Sequence, residues 1–150
     1  MDDSFFDHDP DDDEDHNSNT DSYRSLPVFL KAEEITKIVH PLFDVIDPEK
    51  DQLEIRTQML EHAFIIPAKI AGAEGGDLYS IRFDNATIIK LAARDLLSCT
   101  TWLKVEKLCE EKYIQLLRSE IESFRILFLE WVASFDKEND MGDEWDIKGL

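Results

Sequence analysis

The run IIPAKIAGAEGG, Ile65 to Gly76, constrains the fold more than any other stretch of the sequence. It joins two apolar helical patterns that together reach from Met59 to Leu97. Pro67 has no N–H and its ring crowds the carbonyl four residues back, so a helix arriving from Leu53 is expected to kink there or to pass through locally irregular turns. Gly72, Gly75 and Gly76 then offer backbone freedom for a helix C-terminus and a reversal of direction. Helical spacing resumes near Ser80, read as an N-cap, with Ile81, Ile88, Ala92, Leu96, Cys99 and Leu103 on one stripe. Asn85 falls on that stripe between Ile81 and Ile88, where a polar side chain sets register at some cost in stability.

Three further patterns complete the chain. Val28, Phe29, Ala32, Ile35, Ile38, Val39, Leu42, Phe43 and Ile46 mark one face of a first helix, which either bends or splits at Pro41. Asp47-Pro48 reads as an N-cap followed by proline at the first helical position, so the second helix is expected from Pro48 to about Ala71. Between Ala86 and Glu138 there is no Gly, Pro or Asn, and an unbroken helix there would be far longer than globular helices usually are. A tight turn is therefore expected near Leu108 to Glu111, with a fourth helix from Glu111 to Asp136.

The fourth helix has the cleanest seam: Tyr113, Leu117, Ile121, Phe124, Phe128, Trp131 and Phe135 recur at threes and fours, within a sector of about 80°. Ile126, Leu129 and Ala133 lie about 160–220° round the same helix, where a lone bundle would face water. A helix apolar on two sides is buried on two sides, so these three residues are the expected oligomer interface. Four amphipathic helices with short connections predict an all-α, antiparallel up-and-down four-helix bundle whose second helix is kinked at Pro67.

Charge sets the domain limits. Of the net −18 carried by 150 residues, residues 1–25 hold −9 and residues 136–150 hold −4. The part between, with 13 basic and 18 acidic residues, is only mildly acidic. The expected organisation is a disordered acidic tail over 1–25, the bundle over 26–136 and an acidic C-terminal tail over 137–150. Met141, Trp145 and Ile147 stand among the acids of that last tail. No apolar run reaches the ~18 residues of a membrane span and the N-terminus lacks the pattern of a signal peptide, so the expectation is a soluble cytoplasmic protein without membrane contact.

The sequence carries few residues in patterns that chemistry requires. Asp9, Asp11 and Asp13 alternate as in a calcium loop, but Glu14 stands where the turn needs glycine and no Glu follows at the twelfth position. His8 and His16 lie in the same acidic tail, where fixing ligands around an ion costs ordering entropy. Cys99 and Cys109 form no disulfide framework: ten residues apart on one helix, they would be about 15 Å from each other. Arg56 and His62 have the Arg-x5-His spacing of HEPN-domain ribonucleases, yet six helical residues set them about 120° apart. The expectation is no catalytic, metal or cofactor-binding residue, with a ribonuclease as the remote alternative.

The run Ile66-Pro67-Ala68-Lys69-Ile70-Ala71, then Glu74-Gly75, followed by FDNATIIKLAARDLL with Phe83 and Leu91-Ala92, resembles the four-helix-bundle family of 23S rRNA intervening-sequence proteins. That family includes the accessory variability (Avd) proteins of diversity-generating retroelements. The resemblance spans roughly Val28 to Phe135 and implies an up-and-down bundle assembled as a homopentamer. Its retroelement members use a basic surface for nucleic acid. Here Lys90 and Arg94 lie one turn apart, as do Lys104 and Lys107, but acids are interspersed, so the charge balance disfavours nucleic acid. The expected function is that of a non-enzymatic homo-oligomeric interaction protein, its partner a further copy or another protein. The alternative is an RNA or nucleoprotein accessory factor.

Overall fold

The computed structural model describes residues 21–147. Within them lie four helices: α1 (Pro27–Val45), α2 (Ile55–Glu74), α3 (Tyr79–Val105) and α4 (Glu111–Ala133), preceded by a short 3-10 turn at Ser22–Ser25. Among the described residues there is no strand, and no helix is long and apolar enough to cross a membrane. Each helix packs on the next in sequence, and α1 closes the ring against α4. The interior is filled by aliphatic side chains from all four, with Phe124, Phe128 and Trp131 of α4 adding aromatic bulk.

Pro27 begins α1 at the position where proline's missing N–H costs nothing. The helix then runs through Pro41 without splitting. The second helix departs from expectation, because Pro48 does not start it. Asp47 Oδ1 accepts the Glu49 N–H at 3.0 Å, an Asx turn rather than a helix cap, and α2 begins only at Ile55. Its N-terminal donors are served by Asp51, 4% exposed, whose Oδ1 accepts from Ile55 N at 2.8 Å and whose Oδ2 accepts from Arg56 N at 2.9 Å. α2 continues three residues past the expected Ala71, through Pro67, and ends at Glu74.

At the end of α2 the glycines behave differently from the sequence reading. Gly75 closes the helix at φ −70°, and neither it nor Gly76 takes a left-handed conformation. Gly72 is the glycine that packs: a methyl added there would lie 3.4 Å from Asn85 Oδ1 across the α2–α3 contact. Asn85 is half-buried and donates to the Ile81 carbonyl one turn back.

α3 starts at Tyr79, one residue before Ser80, and its cap comes from the far end of the chain. Tyr79 N donates to Asn139 O at 2.8 Å, Ser80 N to Asp140 Oδ1 at 3.0 Å and Ser80 Oγ to Asp140 Oδ2 at 2.8 Å. The inward row of α3 includes the expected Ala92, Leu96, Cys99 and Leu103. Toward the N-terminus, however, it passes through Ile89 and Ala86, while Ile88 and Ile81 are exposed. Ile88 and Ile89 are adjacent, about 100° apart on the helix and equally apolar, so spacing does not choose between them.

The α3–α4 turn falls where the length argument put it, without a glycine. Lys107 occupies the left-handed position at φ 52°, Lys107 N donates to Lys104 O at 3.2 Å and Leu108 N to Leu103 O at 3.0 Å. This pair of bonds is a Schellman motif, and both residues of its six-to-one bond, Leu103 and Leu108, are buried. Cys109 therefore lies beyond α3 rather than on one helix with Cys99, and both thiols are free. α4 ends at Ala133, short of the expected Asp136, and in its first turn Ile114 is buried where Tyr113 was expected.

A polar knot fastens one end of the molecule. The Glu74 carboxylate at the end of α2 accepts from Arg82 of α3 and, at 2.8 Å, from the Trp131 indole of α4. The Arg82 guanidinium also lies 4.2 Å over the Phe135 ring.

Candidate interaction face between α3 and α4

Where α3 passes α4, a cleft of about 340 Å³ opens on the outside of the molecule. Its floor is Ile121, Phe124 and Phe128, with the two phenyl rings stacked 5.9 Å apart. Its walls are Ala93 and Leu97 from α3 and Leu129 from α4. Ala93, half-buried, contributes only a methyl group to the α3 wall. The cleft is in the size range of sites that take one or a few apolar side chains.

The rim is cationic. Lys90 and Arg94 stand one turn apart on α3, and Arg118 and Arg125 two turns apart on α4. The lining residues include a single carboxylate, Glu122, which receives two hydrogen bonds from Arg125 at 2.9 and 2.6 Å. That pairing holds the Glu122 carboxyl below its ordinary range and the Arg125 guanidinium above its own. Arg118 donates to the hydroxyls of Thr100 at 2.9 Å and Thr101 at 3.4 Å, which fixes it over the α3–α4 seam. Lys90 and Arg94 have no ion-pair partner among the described residues. The cleft thus offers apolar contact below and unneutralised positive charge above, suited to apolar groups flanked by carboxylates or phosphates.

Of the three residues singled out on α4, Leu129 lines this cleft, and Ile126 and Ala133 lie three and four residues from that leucine on the same helix. Leu129 is part of its wall and 53% exposed, Ile126 beside it is 50% exposed, and Ala133 is exposed one turn further on. Lys90 and Arg94 were legible in the sequence as a cationic pair one turn apart; Arg118 and Arg125 across the seam were not. Arg118 and Arg125 are seven residues apart, a spacing that puts them on one side of α4, and this was the available signal. Leu97 and Ala93 carried none.

Other sequence candidates are dispersed. The Arg56 guanidinium lies 4.6 Å over the Phe43 ring and His62 is half-buried on α2. Cys99 is buried, and burial pushes its thiol up to about 11; burial raises the Cys109 thiol too. Among the described residues no group of three or more His, Cys, Asp or Glu is placed to hold a metal ion. The Asp9, Asp11, Asp13, His8 and His16 candidates lie outside the described residues. Trp145, 86% exposed, is not packed on the helices, although Asn139 and Asp140 just before it are.

Comparison with known proteins finds no family model that matches this chain and no curated protein that does.

Proposed function

We propose that this protein is a non-enzymatic association module: an antiparallel up-and-down bundle, with α2 bent at Pro67, that assembles with copies of itself through the outer side of α4. The antiparallel course is supported by contacts that join the end of one helix to the start of the next. Arg56 meets Phe43, Arg82 meets Glu74, and Arg118 meets Thr100. The bend is supported by the missing N–H and ring bulk of Pro67 inside α2.

One observation carries the association: Ile126 and Leu129, each about half exposed, continue the apolar cleft onto the outer surface of a helix whose inner side is already buried. Contiguous apolar surface of this kind is what interfaces cover. The resemblance to the intervening-sequence bundles adds the expectation of a pentamer, and two free thiols fit a cytoplasmic, reducing setting. The test is sedimentation of the intact chain at micromolar concentration. An oligomer is expected, weakened at least tenfold by Leu129→Glu with Ile126→Glu; a monomeric native chain overturns the proposal.

A second reading, a nucleic-acid accessory factor, is favoured by the four cations on the cleft rim alone. It predicts a gel shift that weakens with salt, and no binding at low salt removes it.

A further inference from the structure

The cleft between α3 and α4 is a cationic feature on a chain of net charge −18, and the strongest opposite charge in the sequence lies in residues 1–20. Those twenty residues hold nine Asp or Glu and no Lys or Arg. Their opening, MDDSFFDHD, sets two aromatic side chains, Phe5 and Phe6, between Asp2-Asp3 and Asp7. We propose that this segment docks in the α3–α4 cleft, with Phe5 and Phe6 against Phe124, Phe128 and Leu129 and the flanking carboxylates on Lys90, Arg94 and Arg118.

Three features make this segment the occupant. The first is charge: Lys90 and Arg94 lack partners among the described residues, and a stretch with carboxylates on both sides of its apolar pair supplies them. The second is shape, since an aromatic ring is a rigid, large apolar group that fills a cleft of this size at low entropic cost. The third is reach. Extended chain covers up to about 50 Å over the fifteen residues from Phe6 to Asp21, and a bundle of helices spaced at about 10 Å is only about 20 Å across. The acidic C-terminal segment is the weaker fit, because Asn139 and Asp140 tie its start to α3's N-terminus. Docking shares Leu129 with the association face proposed above but does not require association.

The test is paramagnetic broadening of methyl resonances in the full chain. Cys109→Ser removes the half-buried thiol, and Ser4→Cys carries a nitroxide while buried Cys99 stays unmodified. Docking predicts that Leu97, Ile121 and Leu129 broaden at least fivefold more than Val45 and Leu53. That excess should vanish in Phe5→Ala with Phe6→Ala, and separately in Lys90→Glu with Arg94→Glu, two surface changes. Uniform broadening overturns the proposal, as does an excess that survives both double substitutions. So does an excess produced by a label at Ile147→Cys and not at Ser4→Cys. Mixing labelled chains with isotope-enriched unlabelled ones tells docking within a chain from docking between copies, and either result supports the segment as occupant. Sedimentation of the same samples keeps the two proposals apart: a monomer with selective broadening sinks association and leaves docking standing.

Discussion

Replacing Asp51 by alanine removes the cap of α2 and should be among the most destabilising single changes in this chain. The carboxylate is buried and accepts two backbone N–H bonds, at 2.8 and 2.9 Å, from Ile55 and Arg56. Ile55 is itself buried, so its N–H gains little from water when the acceptor is removed. A hydrogen bond to a charged acceptor contributes about 1.5–3 kcal/mol, and a negative charge at a helix N-terminus about 0.3–1 kcal/mol more. The two bonds share one charge and do not add fully, which sets the expected loss for Asp51→Ala at about 3–4 kcal/mol. Asp51→Asn keeps one acceptor oxygen and loses the charge, and should cost about half as much. At roughly 4 °C per kcal/mol for a domain of this size, Tm falls by about 12–16 °C for alanine. Urea unfolding at pH 7 is the assay, with an unchanged m-value required before the midpoints are compared. A loss below about 1 kcal/mol for alanine, or asparagine as damaging as alanine, refutes the capping argument.

Three further outcomes follow from α3 and the turn after it. Lys107 holds a left-handed conformation that costs a residue with a Cβ about 1–2 kcal/mol, whereas glycine's added freedom in the unfolded chain returns about 0.5–1 kcal/mol of that. Lys107→Gly should therefore stabilise the protein by up to about 1 kcal/mol in the same urea assay, and a loss of stability contradicts the Schellman assignment. Thiol labelling at pH 8 should modify Cys109 well before Cys99, whose thiol is pushed up to about 11 from 9.0, a thiolate population about a hundredfold smaller than that of an ordinary thiol. Since folding favours the protonated Cys99, its contribution is complete below pH 9 and declines between pH 9 and about 11, as the unfolded chain gives up the proton first. Faster modification at Cys99 than at Cys109 in the folded protein would refute its burial.

The four helices were legible because each carries its own apolar period, and α4 most clearly because from Leu117 to Phe135 its seam recurs at threes and fours; only at its start, where Tyr113 and Ile114 are both apolar, did the spacing pick the wrong neighbour. What was not legible is whatever one segment supplies to another. α2's cap comes from Asp51, three residues before the position where caps are sought, and α3's from Asn139 and Asp140, about sixty residues away. Neither cap is a serine or an Asp-Pro next to the helix, so Asp47-Pro48 and Ser80 stand in the sequence as more obvious candidates than the residues that serve. The end of α3 was hidden for another reason. A lysine occupies the left-handed site that glycine normally advertises, and only the length of the remaining pattern betrayed a break. The cleft was hidden by averaging: an acidic composition says nothing about two short cationic rows, on α3 and α4, that the fold sets side by side.

The two proposals bear on one another, because Leu129 belongs to both the association face and the cleft. A segment tethered to its own docking site faces an effective concentration of about the millimolar range, so even a weak contact of ~0.1 mM affinity would be occupied about nine-tenths of the time. Association that needs the same leucine must then displace the segment, and its apparent constant is lowered about tenfold relative to a chain without the phenylalanines. Docking between copies reverses the sign: a segment seated in a neighbour's cleft adds its contacts to the interface. Whether Phe5→Ala with Phe6→Ala tightens or loosens the oligomer therefore reports where the segment lies, since a contact that competes and a contact that bridges cannot move one equilibrium in the same direction.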